Sequence, residues 1–315
     1  MLGLGLNLLK QRGSDGGGGA VNGSFDFTWK TDNTGTSNND QATLPFTISA
    51  ALDCIVTWGD ADGSTTTLNS ASSVGDLTHT YSGGAGTKSI SISGPGVNGF
   101  SFANGGDKSK ILEVSKSGGL DITEISTFQG CTNLTWSATD APTITTINLF
   151  NTFRSCPNFN GNIDNWDVSN VTDMGAMFLS SSSFNQPLNS WDMSSVLDSQ
   201  YMFYQNTGFN QPLNNWNTSS ITNMSNMFSG ATAFDQNIST WDINQVSNLS
   251  SFKSNSDLST VNYDLLLISW DAQGAMSFSG TVSFGASKYT GGGEAAAARA
   301  SLVTKWGAIT DGGVV

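Results

Sequence analysis

The sequence predicts a mainly β protein: a β-sandwich, then a solenoid of stacked repeats, closed by a short α/β cap. Three observations carry that prediction. Trp166, Trp191, Trp216 and Trp241 recur at a 25-residue interval, and the apolar residues around them recur with them. A repeat that cannot bury its own apolar face must stack on its neighbours, so the period specifies a ladder with a long exposed surface. Ahead of it, from about Phe25 to Gly96, short β-rich runs alternate with Gly, Asn and Asp turns, the pattern of a sandwich. Behind it, residues 293–306 (GEAAAARASLVTKW) are helical by propensity.

Residues 1–22 come first, as an anchor peptide and a hinge. The hinge is GSDGGGG at 13–19, a flexible composition that isolates the apolar start MLGLGLNLL from the rest. Leu2, Leu4, Leu6 and Leu8 alternate as an added strand would, which suits docking into another protein; a disordered tail is the plainer reading. The apolar start has no basic residue before it and is followed by Lys10 and Arg12, the reverse of a secretory signal. No segment is long enough to span a membrane, and no Cys follows the start to accept lipid.

The sandwich is expected over 23–97, with strands in FDFTWKT, LPFTISA, CIVTWGD, STTTLN, LTHTYSG and KSISISG. The solenoid is expected over 98–260. Its first coils hold two strand-like pieces, Ile111 to Val114 and Leu120 to Ile125, capping the open end of the ladder. Regular units then run Phe159 to Phe178, Phe184 to Phe203 and Phe209 to Phe228, with a weaker fourth from Phe234. Phe128 and Phe153 extend the Phe178 column backwards, so about six coils are present. Within a unit the apolar spacing changes from two, at Trp166 and Val168, to three or four, at Val171, Met174, Met177 and Phe178. That change predicts a short strand followed by a helical or 3₁₀ return. Ser199 departs from the first Met column, and the fourth unit reads one residue short between Val246 and Phe252. The cap is expected over 261–315, its helix laying Leu302, Val303 and Trp306 over the last coil.

Two resemblances follow. FNQPLNNWNTSSITNMSNMFSGATAF, from Phe209, resembles the bacterial surface-protein (BspA-like) class of leucine-rich repeat, and the likeness covers Phe159–Phe252. NYDLLLISW at 262–270 and SKYTGGGEAAAARASLVTKWGAITDGG look like the segment that closes such arrays. This resemblance implies a leucine-rich-repeat solenoid used for display and adhesion rather than catalysis. In the front half, CIVTWGDADGSTTT followed by LTHTYSGGAGTKSISISG resembles the immunoglobulin-like domain of the polycystic-kidney-disease type. Trp58, Gly59, Asp60, Gly63, His79, Thr80, Tyr81, Gly86 and Thr87 occupy its motif positions, with Ala61-Asp62 inserted. That resemblance implies an immunoglobulin-like spacer or adhesion module.

Composition narrows the function. Of 315 residues, 37% are hydrophobic, enough for ordered cores, and only 12% are charged, so Asn, Ser, Thr and Gly must carry solubility. A net charge of −13 without a Lys/Arg cluster argues against nucleic acid, because nothing would release phosphate counterions. Cys54, Cys131 and Cys156 make no disulfide framework. Cys131 and Cys156 share a column on adjacent coils; buried thiols are the plainer reading and a bond between them the sharper one.

Chemistry is sparse. The single histidine, His79, sits in the HTY motif and reads as a cross-sandwich hydrogen bond, which leaves no His-dependent triad or His-rich metal site. Asp60 and Asp62 could hold calcium, although Asp and Gly are also what a tight turn demands. No other cofactor is expected. Asp167, Asp192 and Asp242 follow the repeat tryptophans and suit capping of backbone groups, as do stacked Asn160, Asn185, Asn210 and Asp235. No pair of carboxylates is singled out for glycoside hydrolysis, and the Gly runs at 16–19 and 291–293 lack the strand and lysine of a phosphate loop. The expected binding face is the exposed side beside the tryptophans: Asn165, Ser190, Asn215 and Thr240.

Together these readings predict a non-enzymatic virion protein of a bacteriophage, a head decoration, fibre or tail appendage. Its N-terminal peptide would dock to other virion proteins, and its ladder would touch a host surface protein or glycan. Homo-oligomerisation is compatible with this, membrane insertion is not. A bacterial cell-surface adhesin is the first alternative and a glycan-active enzyme the second.

Overall fold

The computed structural model describes residues 23–47, 53–69, 75–94, 97–274, 278 and 281–315. The chain is β-rich, with two helices among the described residues. Seven strands come first: β1 (Ser24–Lys30), β2 (Gln41–Leu44), β3 (Cys54–Thr57), β4 (Thr65–Leu68), β5 (Leu77–Thr80), β6 (Thr87–Ser93) and β7 (Ile111–Lys116). Three two-residue strands follow, β8 (Asp121–Ile122), β9 (Thr135–Trp136) and β10 (Thr143–Ile144). The C-terminal part holds α1 (Thr260–Asp271), β11 (Val282–Ser283), β12 (Lys288–Tyr289), α2 (Glu294–Trp306), β13 (Ile309–Thr310) and β14 (Gly313–Val314).

Period-2 alternation builds the front half. In β1, Phe25, Phe27 and Trp29 are buried while the residues between them are half-exposed; Ile90 and Ile92 of β6 and Cys54 and Val56 of β3 repeat the pattern. The sheet order is β4-β3-β6-β1-β7-β9, and β2 pairs separately with β5. Because β7 is antiparallel to β1 and parallel to β9, one sheet runs across residue 97 into the repeat region. Phe100 joins the two cores, its ring 5.2 Å from Phe25 and 6.3 Å from Phe128.

From residue 145 to 259 the chain forms neither the strand nor the helical return that the spacing suggests. Each unit is a run of turns whose pairing is a single-residue parallel bridge: Asn148 to Asp173, Asp173 to Asp198, Asp198 to Asn223, Asn223 to Asn248. The bridge falls just before the Met column, not at Trp166 and Val168. Four amides per unit then donate forward to the next, as Met174 to Asp198 O (2.9 Å), Ala176 to Gln200 O (2.8 Å), Phe178 to Met202 O (2.9 Å) and Ser180 to Tyr204 O (2.8 Å). The physical reason is a backbone that no side-chain period reveals. Asn151, Ala176, Tyr201, Asn226 and Ser251 all have φ between 54° and 62°, and Ser155, Ser180, Gln205, Gly230 and Asn255 repeat that left-handed turn four residues on. The turn aims alternate amides along the stack, where helical dihedrals would close them within the unit.

Side chains follow the same register. Phe153, Phe178, Phe203 and Phe228 form one stack, with centroids 5.4–6.0 Å apart. Phe159, Phe184, Phe209 and Phe234 form a second beside it. Each stacked pair adds about 0.5–1.5 kcal/mol beyond burial of its area. Ser199, in a Met column, is satisfied by donating to Asn223 O at 3.2 Å.

The fourth unit is not short. Phe228 N donates to Phe252 O as Phe203 N does to Met227 O, so Phe252 fills the Met column and Lys253 takes the place of the next phenylalanine. Trp270 of α1 and Phe284 cover Phe252, at 5.8 and 6.1 Å, and Trp306 of α2 stands one layer further out, 6.3 Å from Trp270. Ser251 and Lys253 donate onward to Thr281 O and Ser283 O, and at the opposite end Phe102 N donates to Thr127 O. Both ends of the ladder are thereby closed.

One column holds a misfit. Ser181 Oγ donates to Phe153 O and Ser256 Oγ to Phe228 O, but Asn206, in their column and fully buried, has neither side-chain oxygen nor nitrogen bonded. An unmade buried hydrogen bond costs about 1–3 kcal/mol. Asn206→Ser, whose hydroxyl can reach Phe178 O, is therefore expected to raise the urea midpoint by the equivalent of about 1–2 kcal/mol; an unchanged midpoint would show the amide already satisfied.

Candidate functional site

The row Asn165, Ser190, Asn215 and Thr240 is exposed, and each member is tied to the unit before it. Asn165 Nδ2 donates to Thr139 O (3.1 Å), Ser190 Oγ to Asp164 O (2.9 Å), Asn215 N to Asn189 Oδ1 (2.9 Å) and Thr240 Oγ1 to Asn214 O (3.1 Å). The row is thus a stapled, uncharged lattice of amides and hydroxyls. A groove of 400 Å³ opens at its first end, lined by Ala138, Thr139, Asn162, Asp164, Asn165 and Ser190. Trp191, Trp216 and Trp241 donate to Ile163 O, Leu188 O and Leu213 O, whereas Trp166 Nε1, next in the column, is buried without a partner.

The acidic column is used for capping. Asp167, Asp192, Asn217 and Asp242 accept from the amides of Ser169, Ser194, Ser219 and Asn244 at 2.9–3.2 Å. Asn217 does the same job without charge, as capping allows. In the neighbouring ladder Asn185 N donates to Asn160 Oδ1, Asn210 N to Asn185 Oδ1 and Asp235 N to Asn210 Oδ1.

Asp235 ends that ladder and turns it onto α1. Its Oδ1 accepts from Ser259 N (2.8 Å), Ser259 Oγ (3.0 Å) and Asn262 Nδ2 (2.9 Å) at the start of the helix. Burial pushes its carboxyl up, but the bonds from Asn262 and Ser259 outweigh that and hold it below the ordinary value. Asp235→Ala is expected to lower stability by about 1–2 kcal/mol at neutral pH. A depressed carboxyl stabilises above its unfolded pKa and loses that contribution as pH falls through its folded pKa. The gap between wild type and variant should therefore close in acid, read by urea titration from pH 7 to pH ~3.

Asp60 and Asp62 lie in the turn after β3. Asp60 Oδ2 accepts from His79 Nε2 (2.7 Å) and Ser64 Oγ (3.0 Å), and Asp62 Oδ1 from Ser64 N (3.0 Å). Burial pushes Asp60 up and the bonds from His79 and Ser64 more than reverse it. His79 is stacked on Trp58 at 4.6 Å, so the HTY histidine positions the turn. Gly59 (φ 71°) is required here, because a Cβ would lie 2.2 Å from Ser89 O. Two carboxylates already engaged in a turn do not match calcium's six to eight oxygens. Among the described residues no three His, Cys, Asp or Glu side chains come together.

Cys54, Cys131 and Cys156 are free and buried, and burial pushes the Cys156 thiol up to about 12. Leu2, Leu4, Leu6 and Leu8 lie outside the described residues. No helix among the described residues is long and apolar enough to cross a membrane.

Sequence reasoning missed two features. Asp107 and Lys110, both fully buried, lock the loop before β2 to the segment before β7. On another face of the array, a groove of 270 Å³ is lined by Phe150, Arg154, Ala176, Leu179, Gln200 and Tyr201. Its signal was present in the sequence, because Tyr201 and Tyr204 put aromatic rings on columns that otherwise carry no ring.

These features define a β-rich, repeat-built protein whose regular part is a stack of 25-residue units with a stapled polar row. Residues 146–270, the regular units and most of α1, match the family described as "Mycoplasma protein of unknown function, DUF285". No curated protein and no solved structure matches the chain.

Proposed function

We propose that this chain is a non-enzymatic structural and adhesion protein displayed on a surface, in the first place that of a bacteriophage particle. In this reading residues 23–97 are an immunoglobulin-like spacer, 98–260 a leucine-rich-repeat solenoid and 261–315 its cap. The N-terminal peptide docks to other virion proteins, and the row Asn165, Ser190, Asn215 and Thr240 meets a host protein or glycan. The observation that carries the proposal is that row. It is exposed, uncharged and held rigid by unit-to-unit hydrogen bonds, so it presents a fixed array of donors and acceptors with little ordering entropy left to lose on contact. A net charge of −13 keeps nucleic acid away from it.

A second reading, a bacterial cell-surface adhesin, is favoured by the matched family, whose description names Mycoplasma. Co-sedimentation separates the two. Full-length chain and a form lacking residues 1–19 are mixed with phage particles and with whole bacterial cells. Retention on particles by the full-length form alone supports the virion reading. Retention on cells alone replaces it with the second, and retention on neither removes both.

A further inference from the structure

The 270 Å³ groove on the side face owes its shape to three consecutive units. The first supplies Phe150 and Arg154; the third supplies Gln200 and Tyr201. The unit between them has Gly175 and Ala176 in the corresponding places, with Leu179 at the edge. A Cβ on Gly175 would lie 2.9 Å from Phe150 Cδ2, so a larger residue there would push the ring out of place. Small residues on the middle unit thus let the Phe150 ring lie over Gly175 and leave a shallow groove between that ring and Tyr201. In the next two units Ser225, Asn226, Ser250 and Ser251 fill the columns and supply no ring.

Three facts make the groove a site for an anion with a flat body. Between Lys116 and Lys288 the only basic residues are Arg154 and Lys253, and Lys253 is fully buried. Arg154 forms no ion pair among the described residues, and its guanidinium makes one long donation, 3.5 Å, to Asn151 Oδ1. Tyr201 places a 36% exposed ring on the left-handed turn that every unit shares, where its ladder otherwise carries Asn, Ala and Ser. In a chain of net charge −13 a lone guanidinium suits a monoanion, and its planar fork suits a carboxylate.

The backbone decides between a sugar and a peptide. Along this face the amides of Ala176 and Tyr201 are spent on Gln200 O and Ser225 O, so no edge is free to pair an extended chain. Recognition must come from side chains: rings that pack on a flat C–H face, a carboxamide and a phenol for hydroxyls, a guanidinium for the acid. We propose that Arg154, Phe150 and Tyr201 bind a carboxylated sugar residue of a surface glycan. The inference rests on the adhesion reading for the source of that glycan, but it uses residues apart from the Asn165 to Thr240 row.

The test is calorimetric titration of the full-length protein, at low salt, with sodium oligogalacturonate and with a neutral galacto-oligosaccharide of equal length. The acidic sugar should bind at least about tenfold more tightly. Arg154→Gln and Tyr201→Asn should each weaken it at least about tenfold. Asn tolerates positive φ, so the melting temperature of Tyr201→Asn should be unchanged or higher, which separates lost binding from lost fold. Failure of oligogalacturonate to bind, equal binding of the neutral sugar, binding unaltered by both substitutions, or tighter binding of the peptide acetyl-Phe-Asp-amide would each overturn the assignment. Particle and cell co-sedimentation bears on the adhesion reading alone, so the two can fail separately.

Discussion

Lys253→Met is expected to stabilise the protein by about 3 kcal/mol at pH 7. Lys253 stands fully buried where the preceding units have Phe178, Phe203 and Phe228. Its ammonium has two long hydrogen bonds, 3.3 Å to Ala231 O and 3.2 Å to Ser256 Oγ, and lies 5.5 Å from the Phe234 ring. Burial lowers its pKa from 10.5 to about 8, against the weaker upward pull of Asp257 and Asp235. The folded state therefore binds fewer protons than the unfolded chain between those two values, and stability rises with pH across that window. Below about pH 8 the full desolvation penalty applies. Methionine removes it and keeps the volume. Urea midpoints for wild type and variant should differ most at pH 7 and converge by pH ~10.5. Parallel midpoint curves across that range would mean the ammonium is not desolvated in the fold.

Lys110→Met is expected to do the opposite, lowering stability by about 3–5 kcal/mol. Lys110 is also fully buried, but its Nζ lies 3.7 Å from Asp107 Oδ2 and donates to Ser37 O (3.1 Å), Ser37 Oγ (2.7 Å), Asn38 O (2.9 Å) and Gln41 O (3.3 Å). Asp107 in turn accepts from Thr36 N (2.8 Å), Ser37 N (2.9 Å) and Thr43 N (3.1 Å). Removing the lysine takes the counter-charge from a buried carboxylate and leaves Ser37 O without its donor, although Asn38 O keeps Gln41 N and Gln41 O keeps Ser37 Oγ. Besides the shift in urea midpoint, the amides of Thr36, Ser37 and Thr43 should lose hydrogen-exchange protection, because the same network holds the loop before β2. Unchanged protection would mean that packing, and not the ion pair, holds the loop.

These two lysines show where reading residues stops. Lys110 carries no local pattern that marks it as buried, Lys253 is marked only by falling one period after Phe228, and nothing in the chain says which one has a carboxylate at hand. The apolar columns were legible because each ring needs the same neighbour one period away, a constraint written into spacing. The row Asn165 to Thr240 was legible for the same reason, since an exposed place beside a buried Trp recurs with it. The groove at Arg154 was legible only in part: Tyr201 marks a column that otherwise carries no ring, but Phe150 and Tyr201 lie two units apart, and only the stack brings them to one groove.

The sequence by itself determined the period, the residues of the core columns, the β-rich front half and the C-terminal helix, because burial of apolar area depends on which residues recur and how far apart. The tertiary structure decided how the backbone travels between those columns. Left-handed turns at residues as different as Ala176, Tyr201 and Ser251 replace the expected strand and helical return. Their cost is local, while the hydrogen bonds that offset it lie 24 residues further on. No window of sequence contains both sides of that balance.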